Sequence, residues 1–176
     1  MGAEGKFEHA RTLTFLGDVE LSCNDTEKSR SHYNESAAVL RGPELGDINF
    51  LGYPIRRLGQ IAWREGHYKE ANARCKESLR LNHEVSDPRG VICSVSGFAA
   101  IAVAQGEFER AAKLMAAVET QLTSIGIRLL YMDKKEYERN LALVREELDE
   151  KILNKFWAKG AAMSFDDAIA FALEEK

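Results

Sequence analysis

The sequence is poor in the features that mark membrane and nucleic-acid-binding proteins. Only three prolines occur in 176 residues, and the longest apolar run, from Phe98 to Ala104, is far shorter than the roughly 20 residues that span a bilayer. Lysine and arginine number 24 against 28 aspartates and glutamates, a formal net charge of −4. No broad positive field therefore exists to attract nucleic acid. We expect neither a membrane nor direct nucleic acid as a partner.

Residue clusters that carry chemistry are also scarce. Cys23, Cys75 and Cys93 are odd in number and far apart, and no CxxC pair occurs, which predicts reduced thiols. Together with the lack of a signal-peptide pattern, this indicates a cytoplasmic chain. The four histidines form no pair at metal-ligand spacing, and neither a glycine-rich phosphate loop nor a GxSxG motif is present. We expect no catalytic residue, no metal and no cofactor, so the chain is predicted not to be an enzyme.

What the sequence does contain is an internal repeat. Two shifts, one of 40 residues and one of 42, align the sequence with itself. The first carries Ile61-Ala62 onto Ile101-Ala102, Gly66 onto Gly106 and Ala71 onto Ala111; the second carries Leu16-Gly17 onto Leu58-Gly59 and Glu35-Ser36 onto Glu77-Ser78. The matches recur at the same internal offsets. Such a period is typical of repeat architectures built from stacked structural units.

Each repeat unit is interpreted as two helices. Apolar residues recur at spacings of three and four, and no alternating runs of β-branched residues suggest strands. Asp47 is predicted to cap the first helix of the middle unit and Gly66 to end it; in the next unit Asp87-Pro88 starts a helix and Gly106 ends it. Ala71 and Ala111 are predicted to lie buried where paired helices cross, since a close crossing needs small side chains.

The tail predicts further helices that close the array. Asp133 with Glu136, and Ser164 with Asp167, resemble capping boxes. The last helix, within 164–175, is assigned as a lid over the final apolar face. The expected fold is all-α: a single domain over 1–176, forming a right-handed α-solenoid with hairpins at about 6–41, 47–84 and 87–125 and a C-terminal helical cap over 133–176.

The repeat unit resembles the tetratricopeptide repeat. The matching positions are Leu58-Gly59, Gly66, Tyr68, Ala71 and Ser78 with their equivalents one unit later. The unit is longer than the usual one, and this long form is similar to the C-terminal arrays of large bacterial STAND-type ATPases and transcriptional regulators. The tail segments 109–119, 137–139, 156–160 and 164–173 resemble the end of those arrays. The first unit departs from the pattern, with Asn24-Asp25 where later units have Gly-His or Gly-Glu, so its turn is expected to be looser.

The resemblance also implies a binding face. In tetratricopeptide arrays the first helix of each hairpin lines the concave surface. Carried over to this chain, the partner-binding residues are Asp18, Tyr53, Arg56, Gln60, Trp63, Arg64 and Ser96, together with Arg11, Thr14, Ser22, Cys93, Ala100 and Val103. Tyr53, Arg56, Trp63 and Arg64 are expected to form one exposed patch, since aromatic and arginine residues dominate binding hot spots. The alternative is that Trp63 belongs to the core and the arginines pair internally.

The predicted function is a non-catalytic protein- or peptide-binding module, the sensor or partner-binding arm of a bacterial signalling or transcriptional regulator. Two guanidinium groups beside aromatic rings favour an acidic partner. Other domains of a larger regulator are further expected partners. One alternative is a small-metabolite sensor that binds its ligand within the superhelix. Another is a structural spacer or oligomerisation arm.

Overall fold

The described part of the chain is all-α. The structure is a computed structural model that describes residues 2–43, 45 and 49–174. Nine helices occur there: α1 (Ala3–Ser22), α2 (Thr26–Arg41), α3 (Gly52–Arg64), α4 (Tyr68–Glu84), α5 (Pro88–Ala104), α6 (Phe108–Ser124), α7 (Tyr131–Glu147), α8 (Glu150–Ala161) and α9 (Phe165–Leu173). No strand is found among these residues. In this part of the chain, no helix combines the length and the apolar character that crossing a membrane requires.

One turn geometry recurs between consecutive helices. Five residues have a positive φ, between 54° and 81°: Asn24, Gly66, Ser86, Gly106 and Gly126. At Gly66, the N–H donates to the Trp63 carbonyl (3.1 Å), and the N–H of His67 donates to the Ala62 carbonyl (2.9 Å). The other four turns have the same pair of bonds, three and five residues back. This is the Schellman closure of a helix end.

The turns repeat with the period of the sequence. The two shifts that align the sequence with itself also carry Asn24 onto Gly66, Gly66 onto Gly106 and Ser86 onto Gly126. Gly66 and Gly106 end their helices in the left-handed conformation, as predicted. The turn at Asn24, expected to be looser, has the same hydrogen bonds as the others. Asparagine tolerates the left-handed region better than most residues, which explains why the turn survives without glycine.

The chain divides into two compact units, 1–90 and 91–176, which are described separately. In the first unit α1 packs against α2, α2 against α3 and α3 against α4. A Cβ added at Gly17 would lie 2.7 Å from the Tyr33 ring, and one at Gly59 would lie 3.4 Å from the Ala71 carbonyl oxygen. These two glycines, which occupy equivalent positions of the repeat, allow the paired helices to approach closely. Ala71 is fully buried, as predicted.

In the second unit α6 packs against α7, α8 and α9. The closest approach is at Gly160 of α8, where an added Cβ would lie 2.1 Å from the carbonyl oxygen of Lys113. The end of α9 is held by Arg110, whose guanidinium donates to the carbonyls of Phe171 (2.9 Å) and Ala172 (3.1 Å). Ala111 is fully buried, as predicted.

The helix starts give a mixed outcome. The capping box at Ser164 is confirmed, because Ser164 Oγ accepts from the Asp167 N–H (3.1 Å) and the Asp167 carboxylate accepts from the Ser164 N–H (3.3 Å). The capping box predicted at Asp133 is wrong. Helix α7 begins at Tyr131, so Asp133 lies inside its first turn, buried, with its carboxylate 3.9 Å from Cys93 Sγ. The predicted cap Asp47 lies outside the described residues.

Candidate functional site

The carboxylate of Asp18 lies where side chains of three helices of the first unit converge. Asp18 belongs to α1, and its Oδ1 accepts a hydrogen bond from the Tyr33 hydroxyl of α2 at 2.6 Å. Its Oδ2 accepts one from the Tyr53 hydroxyl of α3, also at 2.6 Å. Both carboxylate oxygens are thus engaged by phenolic donors at the short distances typical of hydrogen bonds to an ionised acceptor.

Arg57 completes this cluster from α3. Its Nε lies 3.0 Å from Asp18 Oδ1, and its side chain is 1% exposed against 14% for Asp18. One terminal nitrogen donates to Gln60 Oε1 (2.8 Å) and the other to the Tyr53 hydroxyl (2.9 Å). A guanidinium taken out of water is tolerated only when its charge is balanced, and here the Asp18 carboxylate supplies the opposite charge. We call Asp18, Tyr33, Tyr53 and Arg57 the Asp18 network.

Burial keeps both phenols of the Asp18 network protonated. It raises the pKa of Tyr53 to about 12, against the opposing effect of the Arg57 charge. Burial, reinforced by the negative charge of Asp18, raises the pKa of Tyr33 further. Because neither hydroxyl ionises at ordinary pH, both remain hydrogen-bond donors to the carboxylate. The network therefore joins α1, α2 and α3 into one rigid unit.

An aromatic layer lies beside the network. The ring of Phe50 stacks on that of Tyr53, with centroids 5.6 Å apart and an interplanar angle of 6°. Phe7 and Phe15 of α1 meet Phe50 edge-on at 6.0 and 6.3 Å. The guanidinium of Arg56 lies 5.2 Å from the centroid of Tyr53. Such offset and edge-on contacts add to the burial energy of the rings and fix α1 relative to the start of α3.

The residues predicted for partner binding are only partly accessible. Among those on α3, Arg56, Gln60 and Trp63 are buried, with Trp63 9% exposed, Tyr53 is half-buried, and Arg64 is exposed. The single exposed patch expected from the sequence is therefore not present in this structure. The physical reason is that α3 is covered almost all round: from Gly52 to Trp63, every residue except Tyr53 is buried.

Of the other predicted residues, Thr14, Cys93, Ala100 and Val103 are buried, whereas Arg11 and Ser22 are exposed. Asp18 is half-buried and belongs to the Asp18 network. Ser96 is half-buried on α5, in the second unit, and is described only within that unit. Arg64, at the end of α3, places its guanidinium 5.9 Å from the Trp63 ring. The first unit thus brings together Asp18, Tyr53, Arg56 and Gln60, through Arg57 and the aromatic layer.

Two members of the Asp18 network were missed by the sequence analysis. Arg57 follows Tyr53 by four positions and precedes Gln60 by three, so the helical period places these three on one side of α3. That spacing was a usable signal. No comparable signal pointed to Tyr33, whose contact with Asp18 depends on how α2 packs against α1.

Helix α1 carries an exposed apolar surface. Phe15 is 48% exposed, Leu16 45% and Val19 59%. They occupy adjacent turns of the helix, at spacings of one, three and four positions. The opposite side of α1 is buried through Ala10, Leu13, Thr14, Gly17 and Leu21. We call Phe15, Leu16 and Val19 the α1 face.

The sequence repeat relates two residues of the α1 face to buried positions of α3, the first helix of the next repeat. The shift that carries Gly17 onto Gly59 also carries Leu16 and Val19 onto Leu58 and Ile61 of α3, which are 3% and 0% exposed. Leu58 and Ile61 belong to one buried cluster with residues of α2, namely Tyr33, Ala37 and Leu40. In α3, therefore, this face is buried in a core shared with the preceding hairpin's second helix.

Comparisons with protein-family models, with curated proteins and with solved structures gave no match for this chain. Within the described residues, no group of three or more His, Cys, Asp and Glu side chains is arranged so that it could hold a metal ion.

Proposed function

We propose that the chain is a tetratricopeptide-like repeat module, a right-handed α-solenoid, that binds other protein domains as the partner-binding arm of a larger signalling or transcriptional regulator. Support for the repeat comes from the turns. The same Schellman closure recurs at Asn24, Gly66 and Gly106, which are equivalent positions of the sequence repeat. Helix pairs of this kind cannot bury their apolar faces alone and gain stability by stacking on neighbours.

The α1 face is the observation that carries the proposal. Monomeric proteins commonly expose single apolar residues, but three large ones together on two turns of a helix mark an interaction surface. The repeat-equivalent positions Leu58 and Ile61 are buried with α2. The α1 face thus has the composition of a stacking face for a helical hairpin.

The occupant that fits this face is the second helix of a hairpin of the same repeat type, contributed by another domain of the regulator. In α2, the residues clustered with Leu58 and Ile61 are Tyr33, Ala37 and Leu40, at spacings of four and three. The partner helix is expected to present an aromatic, a small and a branched aliphatic residue in the same order. Such a stripe buries the three apolar side chains of the α1 face and leaves the partner's polar side in water.

The proposal is tested by supplying that hairpin. A second copy of the segment 1–42 is joined directly ahead of Met1. In the native chain Leu58 follows Leu40 by 18 residues, and in the extended chain Leu16 follows Leu40 of the added copy by the same 18 residues. The added segment contains no tryptophan. In a Trp157→Phe background, the fluorescence of Trp63 therefore reports unfolding of the first unit in the extended and unextended proteins alike.

We expect the extension to stabilise the first unit against urea by about 3 kcal/mol, since three half-exposed apolar side chains contribute roughly 1 kcal/mol each when buried. The matched control carries Leu16→Asp and Val19→Asp in the original copy. In the unextended protein these substitutions should change stability by less than about 0.5 kcal/mol, because both side chains are exposed. If the extension stabilises neither the original protein nor the Leu16→Asp, Val19→Asp control, or stabilises both equally, the α1 face does not accept a hairpin.

A further inference from the structure

Three lysine ammonium groups converge on one phenylalanine ring in the second unit. Nζ of Lys113 on α6 lies 5.2 Å from the centroid of Phe156, and those of Lys155 and Lys159 on α8 lie at 5.2 and 5.4 Å. Lys113 Nζ is also 4.8 Å from the centroid of Phe171. Because all three ammonium groups lie within 5.4 Å of one point, no two of them are farther apart than twice that distance. We call Lys113, Lys155 and Lys159 the lysine cluster.

Within the described residues, the lysine cluster forms no ion pair. No carboxylate there lies within 4.0 Å of any of the three ammonium groups, whereas Lys134 on α7 has Glu138 at 3.6 Å. The negative face of an aromatic ring attracts a cation but carries no net charge. Three like charges within little more than a Debye length, about 8 Å at physiological ionic strength, repel one another and create a local positive potential.

We propose that the lysine cluster binds an acidic segment of a partner protein in an extended conformation. Alternate side chains of an extended chain point the same way and are roughly 7 Å apart. Two carboxylates at neighbouring alternate positions are therefore closer than the largest possible separation of two ammonium groups, so they can reach different lysines of the cluster. Each would pair with a lysine already oriented by its contact with a phenylalanine ring, which reduces the side-chain entropy lost on binding.

The surroundings favour a short acidic peptide over a long polyanion. Residues 91–176 contain 11 lysines and arginines against 14 aspartates and glutamates, so the cluster is a local basic site on an acidic unit. A nucleic acid running beyond it would meet net negative charge. Ile152, which is 37% exposed, lies one helical turn before Phe156 and offers an apolar contact beside the charges.

Lysine ammonium groups are point charges that pair with carboxylate and phosphate oxygens alike, so inorganic phosphate serves as a competitor in the test below. Arg110 already donates to three backbone carbonyls, those of Phe171, Ala172 and Glu174. This acidic-segment site lies in the second unit and is independent of the α1 face, so either can fail without the other.

The test uses the full chain and a fluorescein-labelled peptide of sequence Glu-Leu-Glu-Leu-Glu, with Gln-Leu-Gln-Leu-Gln as the neutral probe. Binding is followed by fluorescence anisotropy. The variant is Lys155→Gln with Lys159→Gln, two exposed positions whose change leaves the packing of Phe156 intact. The charge-matched control is Lys134→Gln with Lys135→Gln on α7.

We expect the acidic peptide to bind at least tenfold more tightly than the neutral one. The Lys155/Lys159 variant should lose at least tenfold in affinity and the α7 control less than twofold, and 500 mM NaCl should weaken binding of the acidic peptide. Equal binding of the two peptides, or unchanged affinity in the Lys155/Lys159 variant, would overturn the proposal. So would displacement of the peptide by an oligothymidylate or by inorganic phosphate at an equal concentration, because either would indicate a general anion site.

Discussion

Removing the carboxylate of Asp18 should be one of the most destabilising single changes in the first unit. Asp18→Ala deletes the acceptor of two phenolic hydroxyls, each 2.6 Å away, and the anion 3.0 Å from Arg57 Nε. The Arg57 side chain is only 1% exposed, so its charge cannot be rehydrated without local unfolding. Breaking a buried ion pair on one side costs about 3–5 kcal/mol. Asp18 is 14% exposed, which allows some solvent screening and favours the lower end, about 3 kcal/mol.

Urea unfolding followed by circular dichroism at constant pH measures this effect. Two controls separate its causes. Tyr53→Phe keeps the ion pair but removes the hydroxyl that donates to Asp18 and accepts from Arg57, so we expect a loss of about 2 kcal/mol, roughly 1 for each hydrogen bond. Glu8→Ala removes an exposed carboxylate 2.9 Å from Arg11 and should cost less than about 0.5 kcal/mol. An Asp18→Ala protein that loses no more stability than the Glu8→Ala protein would refute the reasoning that the Asp18 network holds the three helices together.

Three further predictions concern packing and pH. Gly160→Ala should destabilise the fold by about 1–3 kcal/mol in thermal or urea unfolding, because the added Cβ would lie 2.1 Å from the Lys113 carbonyl oxygen. This cost should exceed the gain from alanine's higher helix propensity, and an equally stable variant would mean that α8 and α6 are farther apart. Ala71→Leu and Ala111→Leu should each cost roughly 1–3 kcal/mol, since both sites are fully buried, and unchanged melting would contradict the repeat register. Stability should be constant below pH 10 as far as Tyr53 is concerned and fall between pH 10.0 and about 12, where the unfolded phenol has released its proton and the folded one has not. The Tyr53 contribution to the absorbance at 295 nm, taken as the difference from a Tyr53→Phe protein, should rise together with unfolding, and a rise well before unfolding would contradict the burial of the phenol.

The sequence was sufficient for the local structure wherever a short-range rule decides it. Gly66 and Gly106 end helices because a left-handed residue closes the last turn, and the capping box at Ser164 needs only residues three apart. The capping box predicted at Asp133 was wrong because that motif considers only four consecutive residues, whereas the start of α7 at Tyr131 also depends on tertiary packing. Burial of this carboxylate beside Cys93, far earlier in the chain, depends on tertiary packing.

The site could not be derived from helical periodicity alone. The resemblance to tetratricopeptide arrays predicts one buried and one exposed side for the first helix of each hairpin, with Arg56 and Trp63 on the exposed side. Helix α3 is instead buried on nearly every side. It tolerates Arg57 there because Asp18 balances the charge and because Gln60 and Tyr53 accept hydrogen bonds from the two terminal nitrogens. Which of the two adjacent arginines lies against Asp18 depends on how α1 and α2 pack against α3, and helical periodicity alone does not give that packing.

The most direct test of the central proposal is the reactivity of a cysteine placed in the α1 face. Val19→Cys, in a Cys23→Ser background that removes the exposed native thiol, puts a reporter where the native side chain is 59% exposed. Its rate of alkylation is compared between the original chain and the chain extended by a copy of the segment 1–42 that also carries Cys23→Ser. If the α1 face receives a repeat hairpin, the extension should slow alkylation at least tenfold, since the equivalent Ile61 is fully buried. An unchanged rate in a folded extended protein would contradict the account.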